Sequence, residues 1–452
     1  MLKVSQILKA TGGRLVSGHR DMGVNGVSID TRTIKKGNLF IAIKGSNFDG
    51  HDFIKEAVAK GACCVIREKK KRCVAARRCA CIEVRDAQKA LGDIAALRRR
   101  QFNIPVIAVT GSNGKTTVKD MIAWILSKNF KVLKNKGTRN NQIGLPLTLL
   151  ELDAGHDMVV LELGTSHSGE IGYLARICGP DIGVITNVGP SHLKYFGSLK
   201  NVLNEKYTLI KNLRRSGIAV LNADDDLLRG RITRNAQRQF VLGFGIKNRS
   251  DFFASNIKQD RGRLNFLVNM KQGFSLKTLG WQNVYNALAA VAVARVFGLG
   301  YGEIASRLSK FNFPSGRLKI IESHKATFID DTYNSNPNSL RQALQALDKC
   351  RSRGRKILVM GDMLELGRRE RIFHLLAGKE ASAICDVFIS VGKLARLSAE
   401  SANFFNLGVK NIFTCNTSRE AREILLKKIA VKKNDVVLVK GSRAMKMEEV
   451  LK

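Results

Sequence analysis

The chain has 452 residues, enough for about three domains of roughly 150 residues each, and its 44% hydrophobic content lets each bury a core. No stretch approaches the roughly 18 apolar residues of a membrane span. The opening MLKVSQILKATGGRL lacks the long apolar run and small-residue cleavage site of a secretory signal, so a cytoplasmic protein is expected. Lys and Arg number 76 against 38 Asp and Glu, a net charge of +38. That excess is spread through REKKKRCVAARR, RGRITRNAQR, RRERIF and KKIAVKK without interleaved aromatics, which argues against nucleic acid as the partner.

Residues 1–84 alternate strand-like runs (GNLFIAIKG, ACCVI, CIEV) with the helical stretch FIKEAVAKG, an N-terminal α/β domain. Cys63, Cys64, Cys73, Cys79 and Cys81 cluster there with no C-x-x-C pair and no histidine among them, and are read as buried or free thiols rather than zinc ligands. DAQKALGDIAALRRRQFNIP reads as a helix ending at Pro105, leading into a central domain over 85–312. VIAVT, MVVLEL, DIGVITNV and GIAVLN then read as buried parallel strands between helices. A third α/β pattern fills 313–452: FIDD, the helix SLRQALQALDKC, KILVMGD, another helix, VFISVG and DVVLVKGS. The expected class is three-domain α/β with mostly parallel sheets.

VTGSNGKTTVKDMI, residues 109–122, carries the chemistry. The common phosphate loop reads G-x-x-x-x-G-K-[ST], yet here the first glycine is replaced by Val109. What survives is a strand (VIAVT), a glycine turn, and a helix whose Val118, Met121, Ile122, Ile125 and Leu126 share one face. Backbone N–H groups at such a helix start attract phosphate. Lys115 suits the outer phosphates, and the Thr116 hydroxyl suits Mg²⁺. Glu162 and His192 follow parallel strands, where open α/β sheets bind ligands, and are candidate metal and phosphate groups.

Together TGSNGKTT, ELGTSHSGEI, ITNVGPSHLKYFGS, DDTYNSNPNS, GDMLELG and LVKGSRAMKMEEV resemble the Mur ligases over nearly the whole chain and in the expected order. The likeness is greatest to the branch that joins D-alanyl-D-alanine to a UDP-N-acetylmuramoyl tripeptide. DDTYNSNP with GDMLELG sets that branch apart from its sister ligases and from folylpolyglutamate synthases. The resemblance implies an N-terminal domain for the UDP-sugar, a central ATPase, and a C-terminal dinucleotide-fold-like domain for the amine. It implies ATP and Mg²⁺, an acyl phosphate, and a monomer with small-molecule substrates.

Residue by residue, it implies that Gly111, Ser112, Asn113, Gly114, Lys115, Thr116 and Thr117 cradle the ATP phosphates. Thr116, Glu162 and His192 resemble the magnesium shell, and Lys206, in NVLNEKYTLI, matches the lysine that the family carbamylates. Lys115, His192 and Lys206 are thus the implied catalytic groups. Asn283 and Asn286 resemble the adenine contacts; Arg317 and Asp331 resemble C-terminal groups brought to ATP by domain closure. Tyr333, Asn334 and Asn336 share the loop of Asp331, and GSRAMKME closes the amine side. Asp30, Thr31 and Arg32 match the uridine-site pattern, with Asn140 and Asn141 on a substrate-facing loop.

Overall fold

The computed structural model describes residues 2–69, 79–235, 240–260, 262–323, 326–350, 353–405 and 407–452. Two compact units emerge. The first comprises Met1–Ala108, Phe130–Thr165 and Glu170–Asp181; the second comprises Val109–Asn129, Ser166–Gly169 and Ile182–Lys452. Among the described residues no helix is long and apolar enough to cross a membrane.

In the first unit, five strands lie in the order Arg14–Ser17, Ala80–Val84, Cys64–Glu68, Asn38–Ile41, Gly26–Ser28. Only the Arg14–Ser17 edge runs antiparallel to its neighbour. Side chains alternate across a strand, so Leu39, Ile41, Cys64, Ile66 and Ile82 build one core. Phe40, Val65 and Cys79 build another, with Ile54 and Ala57 of the short helix. Cys63, Cys64, Cys79 and Cys81 are in no disulfide, and burial pushes Cys64 well up. Cys73 lies outside the described residues.

The helix read as far as Pro105 spans Ala87–Arg100. Asp86 caps its start, accepting from Lys89 N at 2.8 Å. Its end has two causes. The residue before a proline is biased away from helix, and the buried Arg99 guanidinium takes the carbonyls of Phe102 (2.6 Å) and Ile104 (2.9 Å), drawing the exit out straight.

In the second unit, Ile182–Ile185, Ile218–Asn222, Phe240–Gly245 and Phe252–Asp260 run parallel. Arg263–Val268 and Gln272–Leu276 extend them antiparallel, and these two strands, like Phe240–Gly245 and Phe252–Asp260, are missing from the sequence reading. Their half-buried alternation marks a sheet wetted on one side. The helix Gln282–Val296 is buried nearly all round, so it carries no one-sided stripe.

The same unit holds a six-stranded sheet in the order Lys319–Glu322, Thr327–Asp331, Val436–Lys440, Lys356–Gly361, Val387–Val391, Ile412–Cys415. All but the first strand are parallel. Register sets Asp331 opposite Lys440, and Lys440 opposite Met360. The carboxyl ends of three adjacent strands therefore deliver Asp331, Lys440 and the GDMLELG loop to one edge. The α/β class, with mostly parallel sheets, is as read from the sequence.

Candidate active site

Strand Val106–Thr110 ends in the glycine loop, and helix Lys115–Leu126 starts from Gly114 with no capping side chain. Gly111 has φ +148° and Gly114 φ +82°. A Cβ on Gly111 would collide with Thr186 Oγ1, and one on Gly114 with Asn286 Oδ1. Ser112 N donates to Asn187 O at 2.9 Å and Asn113 N to Asn187 Oδ1 at 3.0 Å. Ser112 Oγ donates to Gly189 O at 3.0 Å and accepts from Gly189 N at 2.9 Å. The turn following strand Ile182–Ile185 thus braces the loop, which is why Val109 can replace the missing glycine: strand Val106–Thr110 runs on through it, and the turn starts at Gly111. Gly111→Ala is expected to cost about 1–3 kcal/mol of stability through the strained φ and the clash, measurable as a lowered Tm.

Lys115 Nζ folds back on the loop, donating to Gly111 O (2.9 Å) and Ser112 O (3.3 Å). His192 and Lys206 feel its charge. Burial first, and Lys115 second, hold His192 below its ordinary value. The same two causes, in the same order, bring the buried Lys206 down to about 7, against an opposing pull from Glu205. Glu205, itself buried, accepts Gly169 N at 2.7 Å. Lys115 thus disfavours the charged forms of both His192 and Lys206.

His192 has φ +52° and its Nδ1 lies 2.6 Å from Glu365 Oε2; Glu365 has φ +63°. Left-handed backbone at a non-glycine residue costs about 1–3 kcal/mol and persists only where surroundings impose it. Glu365 has no assigned role in the sequence reading, although GDMLELG is among its motifs. Its reach to a histidine 173 residues away is not written in either segment.

From the C-terminal part of this unit, Arg317 Nη2 donates to Thr116 Oγ1 at 2.8 Å while its guanidinium stacks 4.1 Å from the Tyr333 ring centroid. Asn336 Nδ2 donates to Asn113 Oδ1 at 2.8 Å, and Asn336 also caps helix Pro337–Asp348. Asp331 pairs with buried Lys440 at 2.5 Å, and Lys440 also donates to Asn334 O at 2.9 Å. Burial pushes Asp331 up, opposed by Lys440. Lys440 went unread because a lysine in LVKGS looks like a surface residue. Asp330, next door, holds the loop by accepting Gly316 N at 2.8 Å and Thr332 Oγ1 at 2.7 Å. Asn283 and Asn286 bond to each other at 3.0 Å, with Asn286 set against Gly114. Thr117 is buried in the helix's first turn.

The remaining candidates belong to the first unit. Glu162 is 2% exposed at its strand end and accepts Asn140 Nδ2 at 2.7 Å. Asn141 Oδ1 accepts the N–H of Gly144 at 2.8 Å, starting helix Gly144–Leu150. Asp30, Thr31 and Arg32 line a cleft of about 1350 Å³ together with Arg139 and Asn141. The hydrogen bond from Arg32 holds Asp30 down to about 2. Two motifs over a hundred residues apart thus face one space.

Three family descriptions match the chain. The Mur ligase family catalytic domain covers residues 23–99, the Mur ligase middle domain 109–294, and the Mur ligase glutamate ligase domain 316–443. The UDP-N-acetylmuramoyl-tripeptide–D-alanyl-D-alanine ligase of Bacillus subtilis is 35% identical over 441 residues, covering 95% of this chain and 93% of its own. The chain belongs to the Mur ligase family. Among solved structures, MurF from Acinetobacter baumannii aligns with a TM-score of 0.90 at 32% identity, covering 99% of this Mur ligase and 97% of its own chain. MurF of Thermotoga maritima, solved in complex with ADP, aligns at 0.84 and 30% identity, covering 96% and 97%. The short TGSNGKTT loop therefore belongs to a Mur ligase, which answers the missing glycine at 109.

Proposed function

We propose that this Mur ligase joins D-alanyl-D-alanine to the terminal carboxyl of a UDP-N-acetylmuramoyl tripeptide in peptidoglycan precursor synthesis, with ATP cleaved to ADP and phosphate. The full-length match to ligases named for that reaction carries the proposal. The cradle supports it, with Lys115, His192 and Lys206 gathered beside Arg317 and Asn336. Three domains divide the work: 1–84 for the UDP-sugar, 85–312 for ATP, 313–452 for the dipeptide. The protein acts as a cytoplasmic monomer on small molecules, without nucleic acid.

The loop 111–117 and Lys115 hold the ATP phosphates, with Lys115 exchanging its two loop carbonyls for phosphate oxygens. Asn283 and Asn286 serve the adenine end. Arg317, seated on Thr116 and stacked on Tyr333, meets the phosphates from the C-terminal side together with Asp331. The γ-phosphoryl group passes to the tripeptide carboxylate, giving an acyl phosphate. The dipeptide's ammonium gives one proton to water; the neutral amine's lone pair then attacks the acyl carbon, the C–O bond to phosphate breaks, and a second N–H proton leaves to water, so that the amide and phosphate remain. The wide cleft at Asp30, Thr31 and Arg32 takes the UDP end, and Asn140 and Asn141 face the rest of that substrate. Tyr333, Asn334 and Asn336 line the dipeptide side.

The donor types at hand, a hydroxyl, a carboxylate and an imidazole already held at Nδ1, fit a divalent ion. Thr116, Glu162 and His192 would hold magnesium, Glu162 on the strength of its motif, and a carbamate on Lys206 would support a second ion. When bound, magnesium neutralises the two anions that must meet. The test is ADP release. It should require both D-alanyl-D-alanine and a UDP-N-acetylmuramoyl tripeptide, whether ending in diaminopimelate or lysine. Release driven by DNA or RNA in their place would overturn the proposal.

A further inference from the structure

We infer that Glu365 is a positioning residue: its carboxylate holds the Nδ1–H of His192 and so turns Nε2 toward the nucleotide-bound cation. The inference rests on the reading of His192 as a metal ligand. An ionised carboxylate only accepts hydrogen bonds, so the 2.6 Å contact puts the imidazole proton on Nδ1. In the neutral ring that leaves the lone pair on Nε2. Ligating histidines are ordinarily fixed through their other nitrogen in this way.

The alternative is an ordinary surface pair, since the Glu365 side chain is 46% exposed and that of His192 24%. Three observations count against it. Both residues keep left-handed backbone, which a solvent-screened pair is too weak to impose. A backbone bond closes the same contact, Lys194 N to Glu365 O at 3.2 Å. Gly367, at φ +65°, packs so closely that a Cβ would lie 3.3 Å from Lys194 Cα. The Glu365 loop is also fastened from behind: Met363 N donates to buried His374 Nε2 at 3.0 Å, and Leu364 N to Ser442 Oγ at 2.8 Å. Ser442 belongs to GSRAMK, which ties that motif to the histidine's orientation. The cation ligand is thus set from the C-terminal sheet, and is correct only when that sheet's loop is docked on residues 192–194.

The test is Mn²⁺ binding with a nonhydrolysable ATP analogue, followed by electron paramagnetic resonance. Glu365→Gly suits φ +63°, so its Tm should equal or exceed the parent's. Its Mn²⁺ affinity should fall about 10–100-fold. Glu365→Gln keeps an accepting oxygen and should restore binding to within about threefold of the parent. Parent-like affinity in folded Glu365→Gly, or equal losses in both variants, overturns the inference. If Glu365→Gly fails to fold, imidazole nitrogen NMR of the parent decides: an Nε2–H tautomer at His192 overturns it and an Nδ1–H tautomer supports it. Parent-like affinity in His192→Ala would instead refute the ligand reading beneath it.

Discussion

Lys115→Ala is expected to lower kcat by about 10²–10³-fold in a protein that still folds, the loss typical of removing a group that meets charge developing in the transition state. The fold should tolerate the change. Lys115 opens a helix, alanine favours helix, and what is lost at rest is the pair of hydrogen bonds to Gly111 O and Ser112 O. Each is worth about 1 kcal/mol. Removing the charge also relieves His192 and Lys206, which Lys115 holds toward their neutral forms. Their titration should move upward, whereas removing an unrelated, solvent-screened surface lysine would leave it in place. Steady-state kinetics beside a melting curve checks this. A near-normal kcat in folded Lys115→Ala would refute the cradle assignment.

The second large effect is expected at Lys206. Lys206→Arg should reduce kcat about 10²-fold or more, because a guanidinium stays charged and cannot react with CO₂. A neutral lysine amine attacks CO₂ through its lone pair: a C–N bond forms, one C=O pair moves onto oxygen, and an N–H proton leaves to water. The product is an anionic oxygen donor where a cation stood. Burial supplies the neutral amine by bringing Lys206 down to about 7. The sign for stability follows. The folded pKa lies below the ordinary 10.5, so the unfolded chain binds more protons between those values. The penalty for burying this ammonium is therefore full below about 7 and fades as pH rises toward 10.5. In CO₂-free buffer, Lys206→Met should be more stable than the parent near pH 7, and the gap should close at higher pH. Bicarbonate should restore parent activity and add a ¹³C carbamate resonance when labelled. A plain ammonium in a high-resolution nucleotide complex, with Lys206→Arg active, would sink the idea.

The chain by itself determined the most apolar strands, the glycine loop and the family. Those rest on local regularities. VIAVT and MVVLEL are apolar up to their last residues and buried along the whole strand, because parallel strands bury both faces, and Gly111 and Gly114 are required by their own φ angles. The strand-end position of Glu162 and the position of Lys115 directly after the glycine loop were readable for the same reason. Weaker local signals gave out sooner. The alternating strands at 252–276 carry too few apolar residues to stand out, and the end of helix Ala87–Arg100 depends on where the Arg99 side chain reaches. Only the tertiary structure could decide which charges meet. Lys440 is buried because sheet register sets it opposite Asp331, 109 residues away. Arg317 reaches Thr116 across 201 residues, and Glu365 reaches His192 across 173. A lone lysine, arginine or glutamate looks the same in sequence whether it points to water or into a site. Its partner is chosen by strand order and loop docking, which no local stretch of sequence encodes.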